Sequence, residues 1–275
     1  MSYKDILVYT DPGPWCAARF DLAADLARTH DAHLTALYVD APPYTPVDII
    51  GTSVGDAVKQ WQADLRRSRQ AQAKGIVDAA RQRSGREIEW HSVEDALESG
   101  ILLHSCYNDV IVLSQDSNPF NLSEPLEPSV AQVCLGAGRP VVVVPRDNRA
   151  KTCGEHVLVA WKATAQAARA LHAALPILAR ARTVTIMEVD AAKSGRIAGA
   201  DIARHLARHG IKVTVKPMTG SDADAGRVIL AQAEQLGADL IVSGAYGHSR
   251  LWEMVVGGTT RHLLEHHRIP LFLSN

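Results

Sequence analysis

The residues best suited to chemistry lie near the carboxyl end of this 275-residue chain. Gly244 and Gly247 bracket Ala245 and Tyr246, and after nine intervening residues come Gly257, Gly258, Thr259 and Thr260. Glycine lets backbone N–H groups approach an anion without a Cβ in the way, and a helix N-terminus adds a partial positive charge. His248, Ser249 and Arg250 follow the second glycine and offer further donors to an anion. The chemistry this pattern suits is phosphate binding. The structural alternative is that the glycines turn a long strand-to-helix connection and the polar side chains solvate it.

Such a cradle needs a strand to end and a helix to begin. Residues 238–243 are short and apolar enough for a strand buried on both faces of a parallel sheet, and residues 259–267 read as a helix. The loop between them falls at the carboxyl edge of the sheet, where open α/β folds bind ligands.

The same order of elements occurs twice. Residues 4–10 and 155–161 are each a charged entry followed by an apolar strand. Helices follow over 15–29 and 164–180, the second with Ala167, Ala170, Leu171, Ala174 and Leu178 at helical spacing and with Pro176 to kink or shorten it. Second strands over 32–40 and 182–190 both close on Val-Asp. Helices over 55–84 and 197–209, third strands over 86–91 and 211–217, and helices over 96–107 and 223–236 come next. Fourth strands over 109–114 and 239–243 and last strands over 139–145 and 269–273 complete the copies. The polar stretch 146–154 reads as a linker, so the expected domains are 1–147 and 153–275.

Alternating strands and helices predict an α/β fold: two tandem flavodoxin-like parallel-sheet sandwiches, each with the end of its first strand beside the end of its fourth. The last strands are too apolar to stand as open edges. Their pairing would make the halves an internal pseudo-dimer.

The glycine segment resembles the signature of the universal stress protein family, which runs Gly, two residues, Gly, nine residues, Gly, then Ser or Thr. Gly244, Gly247 and Gly257 match, while Gly258 stands at the hydroxyl position with Thr259 and Thr260 directly after it. The repeated element order extends the resemblance over nearly the whole chain as a tandem pair. It implies the adenine-nucleotide alpha-hydrolase-like fold, with adenine and ribose over the ends of the first two strands and a triphosphate along the glycine segment.

Carried over to the second half, the resemblance places Val189, Ser243 and Gly244 near the purine. The phosphates then lie along Gly247, Gly257, Gly258, Thr259 and Thr260, within reach of His248, Ser249 and Arg250, and the implied ligand is ATP with or without Mg²⁺. Lys162 replaces the acid that the family often has after the first strand, and it either contacts phosphate or is a solvated lysine at a helix start. Trp161 either stacks on the purine or packs between elements. The first half keeps Asp11 and Val39 at the corresponding positions, but its loop over 115–128 has no glycine, several prolines, and the carboxylates Asp116, Glu124 and Glu127. No triphosphate is expected there.

Composition narrows the partners. With 29 basic and 30 acidic residues the net charge is −1, which gives none of the broad positive field of a nucleic-acid binder. The absence of a signal h-region and of a long apolar stretch predicts a soluble cytoplasmic protein without a membrane partner. The cysteines Cys16, Cys106, Cys134 and Cys153 are scattered and read as reduced, with Cys106 and Cys134 in the core and Cys16 and Cys153 more exposed. His205 and His209, like His262 and His266, are four residues apart on helices, yet neither pair supplies a closed metal site, so no metal is expected. The arginines of the helix over 55–84 are interspersed with aspartates and read as a solvated face.

Neither a Gly-x-Ser-x-Gly elbow nor a Gly-x-x-x-x-Gly-Lys-Ser/Thr loop is present, so the expectation is a binding protein and not an enzyme. The leading reading is a stress-response sensor or regulator with an adenine nucleotide in the second half, an unknown protein partner, and homodimerisation open to it. The alternatives are an assembly protein with empty crevices, and a slow ATP hydrolase using His248 as base.

Overall fold

The computed structural model describes residues 2–41, 53–115, 127–146, 152–188, 199–217, 224–246 and 258–275. The first half contributes strands β1 (Asp5–Thr10), β2 (His33–Val39), β3 (Glu89–Val93), β4 (Val110–Ser114) and β5 (Val141–Val144). Its helices are α1 (Cys16–His30), α2 (Ser53–Ser84), α3 (Leu97–Ser105) and α4 (Val130–Gly136). The second half repeats the series with strands β6 (His156–Trp161), β7 (Thr183–Glu188), β8 (Thr214–Pro217), β9 (Leu240–Gly244) and β10 (Leu271–Ser274). Its helices are α5 (Ala165–Leu178), α6 (Ala200–Arg208), α7 (Ala225–Gln235) and α8 (Gly258–His266).

All ten strands join one sheet in the order β3-β2-β1-β4-β5-β10-β9-β6-β7-β8. Each half is a parallel five-stranded unit in which the first strand pairs with the fourth. The halves meet where β5 and β10 pair antiparallel, Phe272 opposite Val142. These two apolar strands would otherwise be exposed edges, and joining them turns the tandem repeat into the expected internal pseudo-dimer.

Side-chain alternation along the strands divides the core into two layers. Ile6, Val8, Val142, Val144, Val159 and Phe272 point to the side packed by α1, α2, α5 and α6. Leu7, Tyr9, Val141, Val143, Leu158 and Leu271 point to the side packed by α3, α4, α7 and α8. Each layer draws residues from both halves, so the pseudo-dimer shares one core on each face.

Several expected boundaries shift. The third strands begin later, at Glu89 and Thr214, because their register is set by pairing with β2 and β7. Gly85, at φ +64°, ends α2, and residues 86–88 carry the chain to the sheet. Helix α4 occupies a stretch assigned no element from sequence; Ser129 caps it, accepting from the Gln132 N–H at 3.4 Å. Pro176 lies inside α5 near its carboxyl end, and its ring nitrogen cannot donate to the carbonyl four residues earlier.

Two cysteine assignments are corrected. Cys106 is exposed after the end of α3, and Cys16 is buried on the first turn of α1. Cys134 is buried as expected and Cys153 half-buried. Burial pushes the Cys16 and Cys153 thiols up, away from nucleophilic thiolate. The arginines of α2 are largely engaged by carboxylates: Arg66 grips Asp40 with N–O distances of 2.6–2.9 Å, and Arg83 reaches Asp21 at 2.9 Å.

Two buried histidines set an acid response. Burial, aided at His30 by nearby Arg180, lowers the pKa of His30 and of His267 to about 4. The fold therefore favours neutral imidazole, while the unfolded chain takes up protons near the ordinary 6.5. Unfolding gains protons between those values, so stability is full above pH 6.5 and falls as pH drops toward 4, by up to about 3 kcal/mol per histidine. Urea midpoints at pH 7.5 and 5 measure this. A His267→Gln variant should show a shallower loss, and a midpoint flat across that range in the parent chain would refute the assignment.

Candidate functional site: two unequal crevices

Each half places a crevice where its first and fourth strands end side by side. The chemistry differs because the loops after β1 and β6 differ in length and charge. After β1, Asp11 turns the chain by accepting the Gly13 N–H at 2.6 Å, and α1 begins at Cys16. Arg19, on the buried stripe of α1 with Cys16, Phe20 and Ala23, is only 3% exposed. Its guanidinium forms an ion pair with Asp11, donates to Ser114 Oγ at 3.1 Å, and lies 5.2 Å from the Tyr9 ring centroid. Burial opposes the charge, but Asp11 outweighs it and holds Arg19 above its ordinary pKa.

Arg146 closes the outer side of this crevice. It donates to Glu127 at 3.1 Å and to the Gln115 carbonyl at 3.2 Å, with its guanidinium carbon 6.0 Å from the Trp15 ring centroid. A cavity of about 20 Å³ remains among Asp11, Arg19, Ser114, Gln115 and Glu127. That is room for roughly one water molecule. Val39, at the end of β2, packs on α3, and a Cβ at Gly100 would meet its methyls at 3.1 Å. Among the described residues the first-half crevice is largely occupied by its own side chains.

In the second half the turn after β6 is shorter. The Thr164 N–H donates to the Lys162 carbonyl at 2.6 Å, and Thr164 caps α5 by accepting the Ala167 N–H at 3.3 Å. Helix α5 therefore begins close to the sheet. On the offset that pairs β1 with β6 and Asp11 with Lys162, Arg19 of α1 corresponds to Ala170 on the buried stripe of α5. Trp161 packs against the core on the α5 side.

Gly244 is the position where this closeness is felt. A Cβ there would stand 2.5 Å from the Ala167 nitrogen and 2.7 Å from the Gln166 carbonyl carbon. This glycine serves helix-on-strand contact, a role that spacing alone could not separate from anion binding. Ser243 is buried and donates to the Gly244 carbonyl at 3.0 Å. Tyr246 then adopts φ +58°, a left-handed conformation rare outside glycine, and its N–H donates to Thr260 Oγ1 at 3.5 Å. That contact ties the end of β9 to the first turn of α8, where Gly258 is exposed, Thr259 half-buried and Thr260 buried.

The structure thus gathers Lys162, Ser243, Gly244, Gly258, Thr259 and Thr260 around one edge of the second half. Val189, Gly247, His248, Ser249, Arg250 and Gly257 lie outside the described residues, as do residues 116–126 of the first-half loop and 147–151 of the linker. Sequence reasoning missed Arg19 and Arg146 as occupants of the first crevice. The legible signal was a charged residue on the apolar stripe of α1, which calls for a buried partner.

The histidine pairs sit as the helical spacing requires, with ring centroids 4.9 Å apart for His205 and His209 and 4.3 Å for His262 and His266. His172 of α5 approaches His205 at 5.0 Å. Among the described residues no group of three or more metal-ligating side chains is placed to hold an ion. No helix among them is long and apolar enough to cross a membrane.

Repeat and strand order together define a tandem doubly wound α/β protein. The chain belongs to the universal stress protein family, whose sequence pattern it matches over residues 2–113 and again over 154–274. It is 24% identical to Universal stress protein Slr1230 of a Synechocystis species, with 98% of each chain covered. Among solved structures it is similar to a universal stress protein from Archaeoglobus fulgidus, with a TM-score of 0.74, 17% identity, and coverage of 98% of this chain and 96% of that one. A putative universal stress protein from Pseudomonas aeruginosa aligns over 99% of this chain and 93% of its own, with a TM-score of 0.60 and 17% identity.

Proposed function

We propose that this chain is a cytoplasmic stress-response sensor or regulator that binds one adenine nucleotide, ATP, in its second half and does not turn it over. The asymmetry of the crevices carries this reading. The first is occupied by the Arg19–Asp11 ion pair with Arg146 beside it, whereas the second has Ala170 and Lys162 at the corresponding positions.

The donor set suits a polyphosphate. The first turn of α8, where Gly258 is exposed, offers N–H groups and the Thr259 hydroxyl, and no atom of the described residues stands within 4 Å of a Cβ placed on Gly258. Lys162 adds positive charge at the end of β6. Mg²⁺ keeps an oxygen-rich shell and would arrive on the phosphates. Nucleotide would favour one state of the site and so bias the surface that a protein partner meets, provided the two states differ in affinity.

One observation favours the second reading, an assembly protein with empty crevices. Gly244 is required by the α5 backbone, so one glycine of the signature is explained without a ligand. Incubation with ATP and Mg²⁺ followed by nucleotide analysis separates these readings from hydrolysis. The proposal expects intact ATP recovered with the protein; steady accumulation of ADP and phosphate would contradict a non-catalytic role, and recovery of bare protein would favour assembly alone.

A further inference from the structure

The last four carbonyls of a helix have no partner within it and must find donors elsewhere. In α8, the helix whose first turn borders the second crevice, the His267 N–H satisfies the Leu263 carbonyl at 2.9 Å. The next two carbonyls are served from the other half of the molecule. Gln115 Nε2, just beyond the end of β4, donates to the Leu264 carbonyl at 2.8 Å and to the Glu265 carbonyl at 3.3 Å.

The orientation of that amide is set by its surroundings. Gln115 Oε1 accepts the Arg146 backbone N–H at 3.4 Å, so the Nε2 end faces the helix. The backbone of Gln115 is held as well: its N–H donates to the Val144 carbonyl at 2.9 Å, and its carbonyl accepts Arg146 Nε at 3.2 Å. Gln115 is therefore one wall of the filled first crevice and at the same time a cap on α8. At its other end α8 is tied to the residues after β9 through Thr260, which accepts the Tyr246 N–H at 3.5 Å.

We propose that Gln115 is a positioning residue for the nucleotide site of the second half: the first half, whose own crevice is filled, clamps the carboxyl end of α8 and so holds its first turn in place for phosphate. This rests on the reading of the second crevice as a nucleotide site. Arg146 links crevice and clamp, since its side chain borders the first crevice while its backbone N–H orients the Gln115 amide.

The test compares the full chain with Gln115→Glu, which keeps the shape but replaces the donor by an acceptor facing two carbonyls, and with Gln115→Ala. Gln72→Glu on exposed α2 controls for added charge. Backbone hydrogen exchange of the unliganded protein should rise several-fold over residues 258–267 in both Gln115 variants and not in the control. The dissociation constant for ATP should rise about 3- to 10-fold, the range expected from losing one ordinary hydrogen bond. A merely structural role would lower the urea midpoint and leave the affinity of the folded protein unchanged, which overturns the proposal. Exchange over α8 that does not respond overturns the clamp itself. Wild-type protein that takes up no ATP overturns the nucleotide reading, and the positioning role with it, whatever the exchange result.

Discussion

Replacing Arg19 with alanine should lower the stability of the chain by about 3–5 kcal/mol, the range for removing one partner of a buried ion pair. The guanidinium is almost wholly enclosed, with its side chain 4% exposed and that of Asp11 16% exposed. Without it, Asp11 keeps the Gly13 N–H at 2.6 Å but loses its countercharge, and Ser114 loses a donor at 3.1 Å. Desolvation of an unpaired carboxylate is the dominant cost. Replacing both partners, Arg19→Met with Asp11→Leu, removes the uncompensated charge and should recover most of the loss. Urea denaturation of the two singles and the double, read as a double-mutant cycle, measures the coupling. A single Arg19→Ala variant within about 1 kcal/mol of the parent would show that solvent reaches the pair and that the first crevice is not closed in the way described.

The second large effect lies at Asp239, 8% exposed at the entry to β9. Its carboxylate accepts the Thr152 hydroxyl at 2.6 Å, the Gly154 and Glu155 N–H groups at 3.1 Å each, and the His156 N–H at 2.8 Å. It thereby fixes the start of β6, and with it the pairing of β6 with β9 on which the second crevice depends. Asp239→Ala leaves three backbone donors without their acceptor in a partly enclosed turn, and the expected loss is about 3–4 kcal/mol. The first half repeats the device in weaker form: among the described residues Asp109 accepts the Lys4 and Asp5 N–H groups, at 2.6 and 3.2 Å. Asp109→Ala should therefore cost about 1–2 kcal/mol. Equal midpoints for the two variants would mean that the additional bonds at Asp239 contribute nothing net.

The fold was readable because its signals are local and repeated. Runs such as Val141 to Val144 and residues 240–243 are too apolar for anything but strands covered on both faces, and their alternation with helical stripes dictates parallel pairing. The join between β5 and β10 followed from the need to cover two such edges. The displaced starts of β3 and β8 were not readable, because register with β2 and β7 is a tertiary property. Cys106 and Cys16 show the same limit. Apolar neighbours in sequence suggested a buried Cys106, yet it lies at the exposed end of a short helix, and Cys16 is buried because α1 turns it toward the sheet.

At the site, the glycine signature was visible, but the different uses of its residues were not. Gly244 is explained by a backbone 2.5 Å from its missing Cβ, and Thr260 is engaged by the Tyr246 N–H. Both are contacts between elements far apart in the chain. Gln115 carried no signal at all, because its partners Leu264 and Glu265 lie 149 and 150 residues away. The asymmetry of the crevices was half visible: the glycine-free first loop marked the halves as different, while the Arg19–Asp11 pair and the place of Arg146 required three dimensions.

The central claim, one usable crevice in a molecule with two, is tested most directly by the stoichiometry of nucleotide uptake. Purified, nucleotide-stripped chain is titrated calorimetrically with ATP and Mg²⁺, alongside a Gly247→Val variant intended to obstruct the glycine segment. The account predicts one equivalent of ATP per chain, lost in the variant. Two equivalents would contradict the closed first crevice, and no uptake by the parent chain at high protein concentration would contradict the nucleotide site itself.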